Sequence, residues 1–116
     1  MNQRRRTPRI AFVAPAELCD KKWDRQLTAQ VRELSAYGCY VGTLNTLPVA
    51  NTVLLKIFVQ SECFEAMAKV IYTHRNRGMG LLFQELSLQS GNLLREWLLK
   101  SLQGGMSNTR GVALNR

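Results

Sequence analysis

The sequence predicts a mainly β domain: a small antiparallel barrel of five or six short strands, with one C-terminal α-helix packed on it. Two observations indicate the strands. Apolar and polar residues alternate in several short runs between residues 10 and 83, which is the period of half-buried strands. Turn-forming residues separate these runs. A third observation indicates the helix, because from Leu88 the apolar spacing changes to three and four residues.

The strands are predicted in chain order at residues 10–19, 23–34, 39–41, 53–59, 63–73 and 79–83. Pro15 lacks an amide hydrogen, so the first strand is expected to bend or to lie at an edge. In the second strand, Leu27, Ala29 and Val31 share the face opposite the polar residues. In the fifth strand the alternation places five residues on one face: Phe64, Ala66, Ala68, Val70 and Tyr72. Gly80 lies inside the sixth strand, where a glycine often marks a bulge or a close approach of backbone or ligand.

The helix is predicted from Leu88 to Leu102, with Ser87 or Ser90 as its cap. Gly104 and Gly105 are expected to end it. The predicted organisation is a flexible basic arm over residues 1–9, a barrel with its helix over 10–103, and a disordered tail over 104–116. The predicted core consists of Phe12, Leu27, Val31, Val41, Leu55, Ile57, Phe64, Val70, Leu82, Phe83, Leu94, Trp97 and Leu98.

Bulk composition indicates one globular domain with an anionic partner. The 116 residues are 46% hydrophobic and 21% charged, which is ordinary for a folded domain. The net charge of +8 favours a nucleotide, a nucleic acid or an acidic protein surface. No apolar stretch is long enough to span a bilayer, and the first residues lack the apolar segment of a signal peptide.

The cysteines and the histidine argue against a disulfide framework, a metal site and catalysis. Cys19, Cys39 and Cys63 are odd in number and have no CxxC spacing, which favours packing roles and a reducing, cytoplasmic location. His74 is the only histidine, so a site with several histidine ligands is excluded. No nucleophile is paired with a base and no carboxylates are paired, so no enzyme and no cofactor are predicted.

The basic arm is the first candidate binding element. Arg4, Arg5, Arg6 and Arg9 provide half of the net charge, and Arg5 and Arg9 are four residues apart. Pro8 disfavours a helix here, so the arginines are expected on an extended segment. Planar, permanently charged guanidinium groups suit phosphates and the acceptor edges of bases. A solvated basic tail is the alternative interpretation of this segment alone.

The turn at residues 33–38 is the second candidate element. Glu33 and Ser35 are two residues apart, so in extended chain they point to the same side. A carboxylate and a hydroxyl there suit the N–H groups of a purine base. Gly38 permits a positive φ or a close approach of a ligand.

Together these elements resemble the PilZ domain family. The resemblance rests on an RxxxR pair (Arg5, Arg9), a D/N-x-S-x-x-G-like turn (Glu33, Ser35, Gly38), the segment GMGLLF over Gly78–Phe83, and the following helix. It implies a six-stranded antiparallel barrel of the split-barrel type that binds the bacterial second messenger cyclic di-GMP.

By that resemblance, Arg5 and Arg9 clamp phosphates and guanine edges, and Glu33, Ser35 and Gly38 hold a guanine. Arg4 and Arg6 flank the clamp as further candidates, and an unidentified downstream protein receives the signal.

One position departs from the family pattern, because Glu33 stands where the family usually has Asp or Asn. The carboxylate is one methylene further out, which weakens a hydrogen bond set for the shorter side chain. This departure leaves open a PilZ-like adaptor that acts through protein contacts without nucleotide. A basic nucleic-acid-binding barrel is a second, separate alternative. The sequence argues against the second, since no strand carries a run of exposed aromatic residues.

Overall fold

The computed structural model describes residues 8–20, residue 22 and residues 24–107, with the backbone alone for 103–107. In chain order the elements are β1 (Ile10–Asp20), β2 (Arg25–Leu34), β3 (Gly38–Gly42), β4 (Thr52–Val59), β5 (Glu62–His74), β6 (Gly78–Leu86) and α1 (Leu88–Ser107). All six predicted strands and the predicted helix are therefore present.

The strands form a closed barrel in the order β1-β2-β3-β6-β5-β4, and every neighbouring pair is antiparallel. Pairing between β1 and β4 closes the sheet on itself. The predicted six-stranded antiparallel barrel with one helix is confirmed. Closure gives every strand two neighbours, which removes the unpaired edges of an open sheet.

Pro15 lies within β1, which is bent but is not an edge strand. The pairing of β1 with β2 shifts register between Ala11 and Ala14, so the strand carries an irregularity beside the proline. Pairing with β4 begins only at Ala16, one residue after Pro15. The proline therefore lies where β1 has a ladder partner on one side only, which is where a residue without an amide hydrogen is tolerated.

A β-bulge in β2 changes which side chains point outward. The pairing of β2 with β3 shifts between Val31 and Glu33, which leaves Arg32 as the extra residue. Val31 and Leu34 are buried, whereas Arg32 and Glu33 both lie on the outer face. The bulge thus places two consecutive charged residues outside the barrel and still returns the next apolar residue to the core.

A second bulge lies in β5, where the pairing with β6 shifts between Val70 and Tyr72. Val70 is buried, and the next two residues, Ile71 and Tyr72, are both exposed. The prediction that Tyr72 shares the inward face of Phe64 and Val70 is wrong, because the extra residue reverses the alternation after Val70.

The barrel interior is a continuous apolar core. It includes most of the predicted core residues, with Val31, Val41, Leu55, Ile57, Phe64 and Val70 fully buried and Leu94 and Trp97 nearly so. Phe12, Leu27, Phe83 and Leu98 are partly buried and pack against it. The prediction that Leu82 belongs to the core is wrong. Leu81 faces inward, and the alternation of β6 therefore turns Leu82 to the outer face.

The helix is capped and anchored by side chains that the sequence identified. Ser87 Oγ accepts the Ser90 amide hydrogen at 3.0 Å, so Ser87 is the N-cap. Ser90 Oγ instead accepts the Glu65 amide hydrogen at 3.1 Å, which joins the first turn to β5. The Trp97 ring stacks on Phe12 with centroids 5.4 Å apart. Trp97 is therefore the core anchor of the helix.

The helix continues to Ser107, so the expected end at Gly104-Gly105 is wrong. A glycine in a helix costs only about 1 kcal/mol relative to alanine, so two glycines weaken the last turn without forbidding it. Residues 104–107 thus belong to α1 and not to a disordered tail. The rest of the predicted tail, residues 108–116, lies outside the described residues.

Candidate ligand-binding site

Arg9 and Glu33 are joined at one end of the barrel. Arg9 directly precedes β1, and Ala11 pairs with Glu33 in the ladder between β1 and β2. Arg9 is thus a diagonal cross-strand neighbour of Glu33, within reach of a long side chain. Arg9 Nη2 donates to Glu33 Oε1 at 2.6 Å, and the two side chains are 33% and 47% exposed. Such a pair is worth about 0–1 kcal/mol, so a ligand can replace it at small cost.

Ser35 closes the turn that follows β2. Its hydroxyl accepts the amide hydrogens of Tyr37 and Gly38, both at 3.2 Å. Its own amide hydrogen is donated to the Gly38 carbonyl at 2.9 Å. The hydroxyl therefore holds the shape of the turn, in the manner of serine turns generally.

Gly38 is required by a close approach of two backbones. A Cβ atom at this position would lie 2.1 Å from the Leu81 carbonyl oxygen on β6, which no side chain tolerates. The Phe83 amide hydrogen is donated to the Tyr37 carbonyl at 2.8 Å, so the turn is fastened to β6. No described glycine has a positive φ. The glycine is needed here for the approach of the β6 backbone, whereas the sequence predicted a positive φ or the approach of a ligand.

One cavity brings the described candidate residues together. It has a volume of about 170 Å³, and Arg9, Glu33, Ser35 and Gly38 all line it. These residues come from the start of β1, the end of β2 and the turn before β3, which the barrel joins at one point. Arg4, Arg5 and Arg6 lie outside the described residues.

Cys39 also lines this cavity, but its thiol is unsuited to nucleophilic chemistry. Burial raises its pKa to about 12, so the reactive thiolate is absent at neutral pH. The exposed Cys63 thiol also has a raised pKa, through partial burial and the neighbouring carboxylate of Glu65. Among the described residues, no three His, Cys, Asp or Glu side chains are grouped so that they could hold a metal ion.

The cavity wall contains residues that sequence reasoning missed. Ile71, Tyr72 and Leu82 line it, although the sequence predicts Tyr72 and Leu82 on the inward face. The bulge in β5 is not encoded as a period in the sequence, so alternation alone cannot reveal it. The one usable signal is Gly80, since a Cβ there would lie 2.4 Å from the Tyr72 ring. Gly80, predicted to mark a bulge or a close approach of backbone or ligand, lies opposite the bulge in β5 and is approached instead by the Tyr72 side chain.

Tyr40 and His74 extend the cavity wall into an aromatic cluster with Tyr72. The Tyr40 and Tyr72 ring centroids are 6.2 Å apart, and His74 lies 5.6 Å from Tyr40 and 5.3 Å from Tyr72. Tyr40 Oη and His74 Nδ1 are within hydrogen-bonding distance at 3.0 Å. His74 is thus attached to the cavity wall, whereas the loop that follows it carries Arg75 and Arg77 exposed at the surface.

The fold and the cavity together define a small antiparallel barrel with a surface cleft where a guanidinium group and a carboxylate meet beside exposed aromatic rings. A family model described as PilZ domain matches residues 3–100, which is most of the chain. The chain belongs to the PilZ domain family.

Solved structures share this fold at low sequence identity. The PilZ domain of CeSA from a cellulose-synthesizing bacterium superposes with a TM-score of 0.64 and 19% identity, covering 84% of this chain and 99% of that one. The PilZ domain of YcgR from Escherichia coli, solved with c-di-GMP, gives 0.72 and 17%, covering 87% and 93%.

A further similar structure is the inhibitor of motility MotI/DgrA from Bacillus subtilis. It gives a TM-score of 0.75 and 18% identity, covering 93% of this chain but 54% of that one. At these identities the likeness shows the fold alone. No curated protein matches the sequence. In the described part of the chain, no helix is both long and apolar enough to cross a membrane.

Proposed function

We propose that this protein is a non-catalytic receptor for cyclic di-GMP that passes the signal to a protein partner by a change in conformation. Arg5 and Arg9 clamp the ligand, and Glu33, Ser35 and Gly38 form the turn that holds one guanine. The observation that carries the proposal is the convergence of four of these residues on one cavity, from segments that lie more than twenty residues apart in the chain. Membership of a family with members solved bound to c-di-GMP supports it.

The exposed Arg9 side chain suits the acceptor edge of guanine. Guanine presents O6 and N7 side by side, and a guanidinium group binds this pair bidentately, for about 1–3 kcal/mol of discrimination by analogy with base recognition in DNA. The Glu33 carboxylate accepts hydrogen bonds from the guanine N–H groups on the same base. Binding then exchanges the weak pair between Arg9 and Glu33 for two contacts to the ligand.

The size of the cavity limits it to part of the ligand. Small-molecule sites commonly measure about 300–1,000 Å³, and this cavity holds about 170 Å³. One guanine edge therefore enters, and the phosphates and the second guanine stay outside it. Arg5 is four residues before Arg9, so its Cα lies within about 14 Å of the Arg9 Cα, close enough to reach them. The proposed clamp requires both arginines because Arg9 binds the guanine edge in the cavity and Arg5 binds the parts of the ligand that stay outside it.

The proposed receptor performs no chemistry and requires no cofactor. The cavity thiol of Cys39 is held in its unreactive form by burial. All three cysteines are free, which supports the proposed cytoplasmic location. The Arg4 and Arg6 side chains add positive charge beside the phosphates. An unidentified downstream protein receives the signal from the ligand-bound receptor.

Calorimetric titration tests this proposal. The purified protein is titrated with cyclic di-GMP, with GTP and with a random single-stranded oligonucleotide. Low-micromolar or tighter binding that is selective for cyclic di-GMP is expected. Preferential binding of the oligonucleotide would instead favour a nucleic-acid-binding barrel.

A PilZ adaptor that binds no nucleotide is the second candidate function. It is favoured by the contacts within the site, since Arg9 already has Glu33 as a partner and the Ser35 hydroxyl is used by the turn. The absence of both heat and a thermal shift at about a hundred micromolar cyclic di-GMP would establish this alternative over the receptor.

A further inference from the structure

Four exposed apolar side chains line the Arg9 cavity. Tyr37, Ile71, Tyr72 and Leu82, called here the apolar rim, are between 36% and 65% exposed, and all four line this cavity. Exposed apolar groups that gather at one polar cleft are more informative than ones scattered singly over a surface. The apolar rim is therefore complementary to a ligand group with flat, apolar faces.

Two features of the barrel place Tyr72 in the apolar rim. The bulge between Val70 and Tyr72 turns the tyrosine outward, against the alternation of β5. Gly80 on β6 then leaves room for it, because a Cβ there would lie 2.4 and 2.5 Å from two atoms of the ring. The phenol end of Tyr72 thus lies directly over the β6 backbone.

The Tyr72 ring is held in place by its neighbours. Tyr40 lies beside it with an interplanar angle of 25°, and His74 lies on the same cluster with its centroid 5.3 Å away. Tyr40 and His74 are themselves joined through the phenol oxygen and Nδ1. A ring held in this way loses little conformational freedom when a second ring stacks on it, which favours binding.

The charges around the cavity identify the occupant. Its lining contains one guanidinium group and one carboxylate, from Arg9 and Glu33, and these already neutralise each other. Apart from Ser35 and Cys39, the rest of the wall is aromatic, aliphatic or backbone. Such a wall suits a neutral, planar group that has hydrogen-bonding atoms on its edge and apolar faces. A purine base has these properties, and every base presents a π-face to an aromatic side chain.

We propose that Tyr72 is the base-stacking residue of this site. A guanine of the ligand lies against the Tyr72 ring within the apolar rim while Arg9 binds its edge. Tyr40 and His74 are positioning residues that hold the Tyr72 ring. This inference rests on the proposed function, because it assigns a base of the same cyclic dinucleotide to a further residue.

Variants at Tyr72 test the inference by calorimetry with cyclic di-GMP. Tyr72→Leu removes the aromatic face and is expected to weaken binding by about 5- to 150-fold, the range measured for base stacking on aromatic residues. Tyr72→Phe keeps the face and is expected to stay within about 2-fold of the parent protein. Leu99→Ala, which trims an exposed apolar residue on α1, is the control and is expected to change nothing.

A ligand change isolates stacking from any general effect on the fold. Cyclic di-CMP, in which both guanines are replaced by cytosine, is expected to bind the parent protein more weakly because cytosine has a smaller ring face, and this difference is expected to shrink in Tyr72→Leu. Equal affinity of Tyr72→Leu and the parent for cyclic di-GMP would overturn the inference and leave the proposed function standing. Absence of binding to the parent protein would overturn both.

NMR spectroscopy of the unaltered protein tests the inference even if the Tyr72→Leu variant does not fold. The NMR signals of the Tyr72 ring protons are expected to move upfield on saturation with cyclic di-GMP, because a stacked guanine places them in its ring current. Unchanged Tyr72 ring signals in a protein that has bound the ligand would contradict the inference.

Discussion

Ser35 and Gly38 hold their turn together through contacts inside the protein. The Ser35 hydroxyl accepts two amide hydrogens of the turn, and Gly38 lies against the β6 backbone. The sequence predicted these two residues as ligand contacts, but it did not predict that they stabilise the turn and its contact with β6. The reason is physical: spacing along the chain shows that a hydroxyl and a glycine share a turn, but it cannot show which backbone approaches them from another strand.

Gly38→Ala is expected to lower the free energy of unfolding by about 1–3 kcal/mol, because the new Cβ would lie 2.1 Å from a backbone oxygen that cannot move independently. Urea unfolding measures this. Gly42→Ala on the same strand is the matched control. Its Cβ would meet the end of the flexible Arg32 side chain at 2.6 Å, which can move aside. Equal losses for both variants would contradict the assigned role of Gly38.

Cys39 is expected to make stability depend on pH above about pH 9. Burial raises the pKa of its thiol to about 12 in the folded protein, so between pH 9 and 12 the unfolded chain loses a proton that the folded protein keeps. Stability therefore falls as pH rises through this range, by up to about 1.4 kcal/mol per pH unit, and is unaffected below it.

Chemical unfolding at pH 8 and pH 10 checks this prediction. The parent protein is expected to lose about 1 kcal/mol more than Cys39→Ala between the two pH values, since the other titrating groups are common to both. An equal loss in the two proteins would show that the Cys39 thiol is exposed to solvent.

At the scale of secondary structure elements, sequence alternation predicted where strands lie but not where they bulge. Leu27, Ala29 and Val31 face inward as the period of two requires. The pattern failed at Tyr72, because a bulge adds one residue to β5 and nothing in the local sequence requires it. The bulges in β2 and β5 turn Glu33 and Tyr72 outward beside one cavity. The irregular positions of the sheet are thus the ones that build the candidate site.

Gly91→Ala in α1 is expected to raise the free energy of unfolding by about 0.5–1 kcal/mol. A helical glycine loses more backbone freedom on folding than alanine, and the added Cβ would meet only the Leu86 side chain at an ordinary 3.6 Å. Urea unfolding of the variant and the parent protein measures the difference. A loss of stability would mean that the first turn of α1 has less room against β6 than the structure shows.

At the scale of the whole molecule, the sequence predicted the barrel and the grouping of Arg9 with Glu33 better than it predicted the wall around them. Arg9 and Glu33 are 24 residues apart, yet pairing of two predicted neighbouring strands brings them together. Tyr40, Tyr72 and Leu82 come together at the cavity through the pairing of β6 with both β3 and β5 within the closed barrel. Closure of a barrel depends on all of its strands at once, so no local pattern contains it.

Ligand binding is expected to weaken as the salt concentration rises, because the protein carries a net charge of +8 and the ligand is anionic. The dependence is expected to be modest. Cyclic di-GMP carries two phosphates, so the slope of log affinity against log salt concentration should be no steeper than about −1.4. Calorimetry between 50 and 500 mM NaCl measures it. Tight binding of a random oligonucleotide with a much steeper slope would contradict the receptor and favour nucleic acid as the natural partner.

The central claim is that Arg9 holds the ligand at the cavity, and titration of Arg9→Ala with cyclic di-GMP tests it most directly. Arg25→Ala is the matched control, an exposed arginine at the opposite end of β2. Arg9→Ala is expected to lose about 5- to 150-fold in affinity with little change in melting temperature, since its exposed pair with Glu33 contributes little to stability. Binding by Arg9→Ala at the strength of Arg25→Ala and the parent protein would contradict the claim.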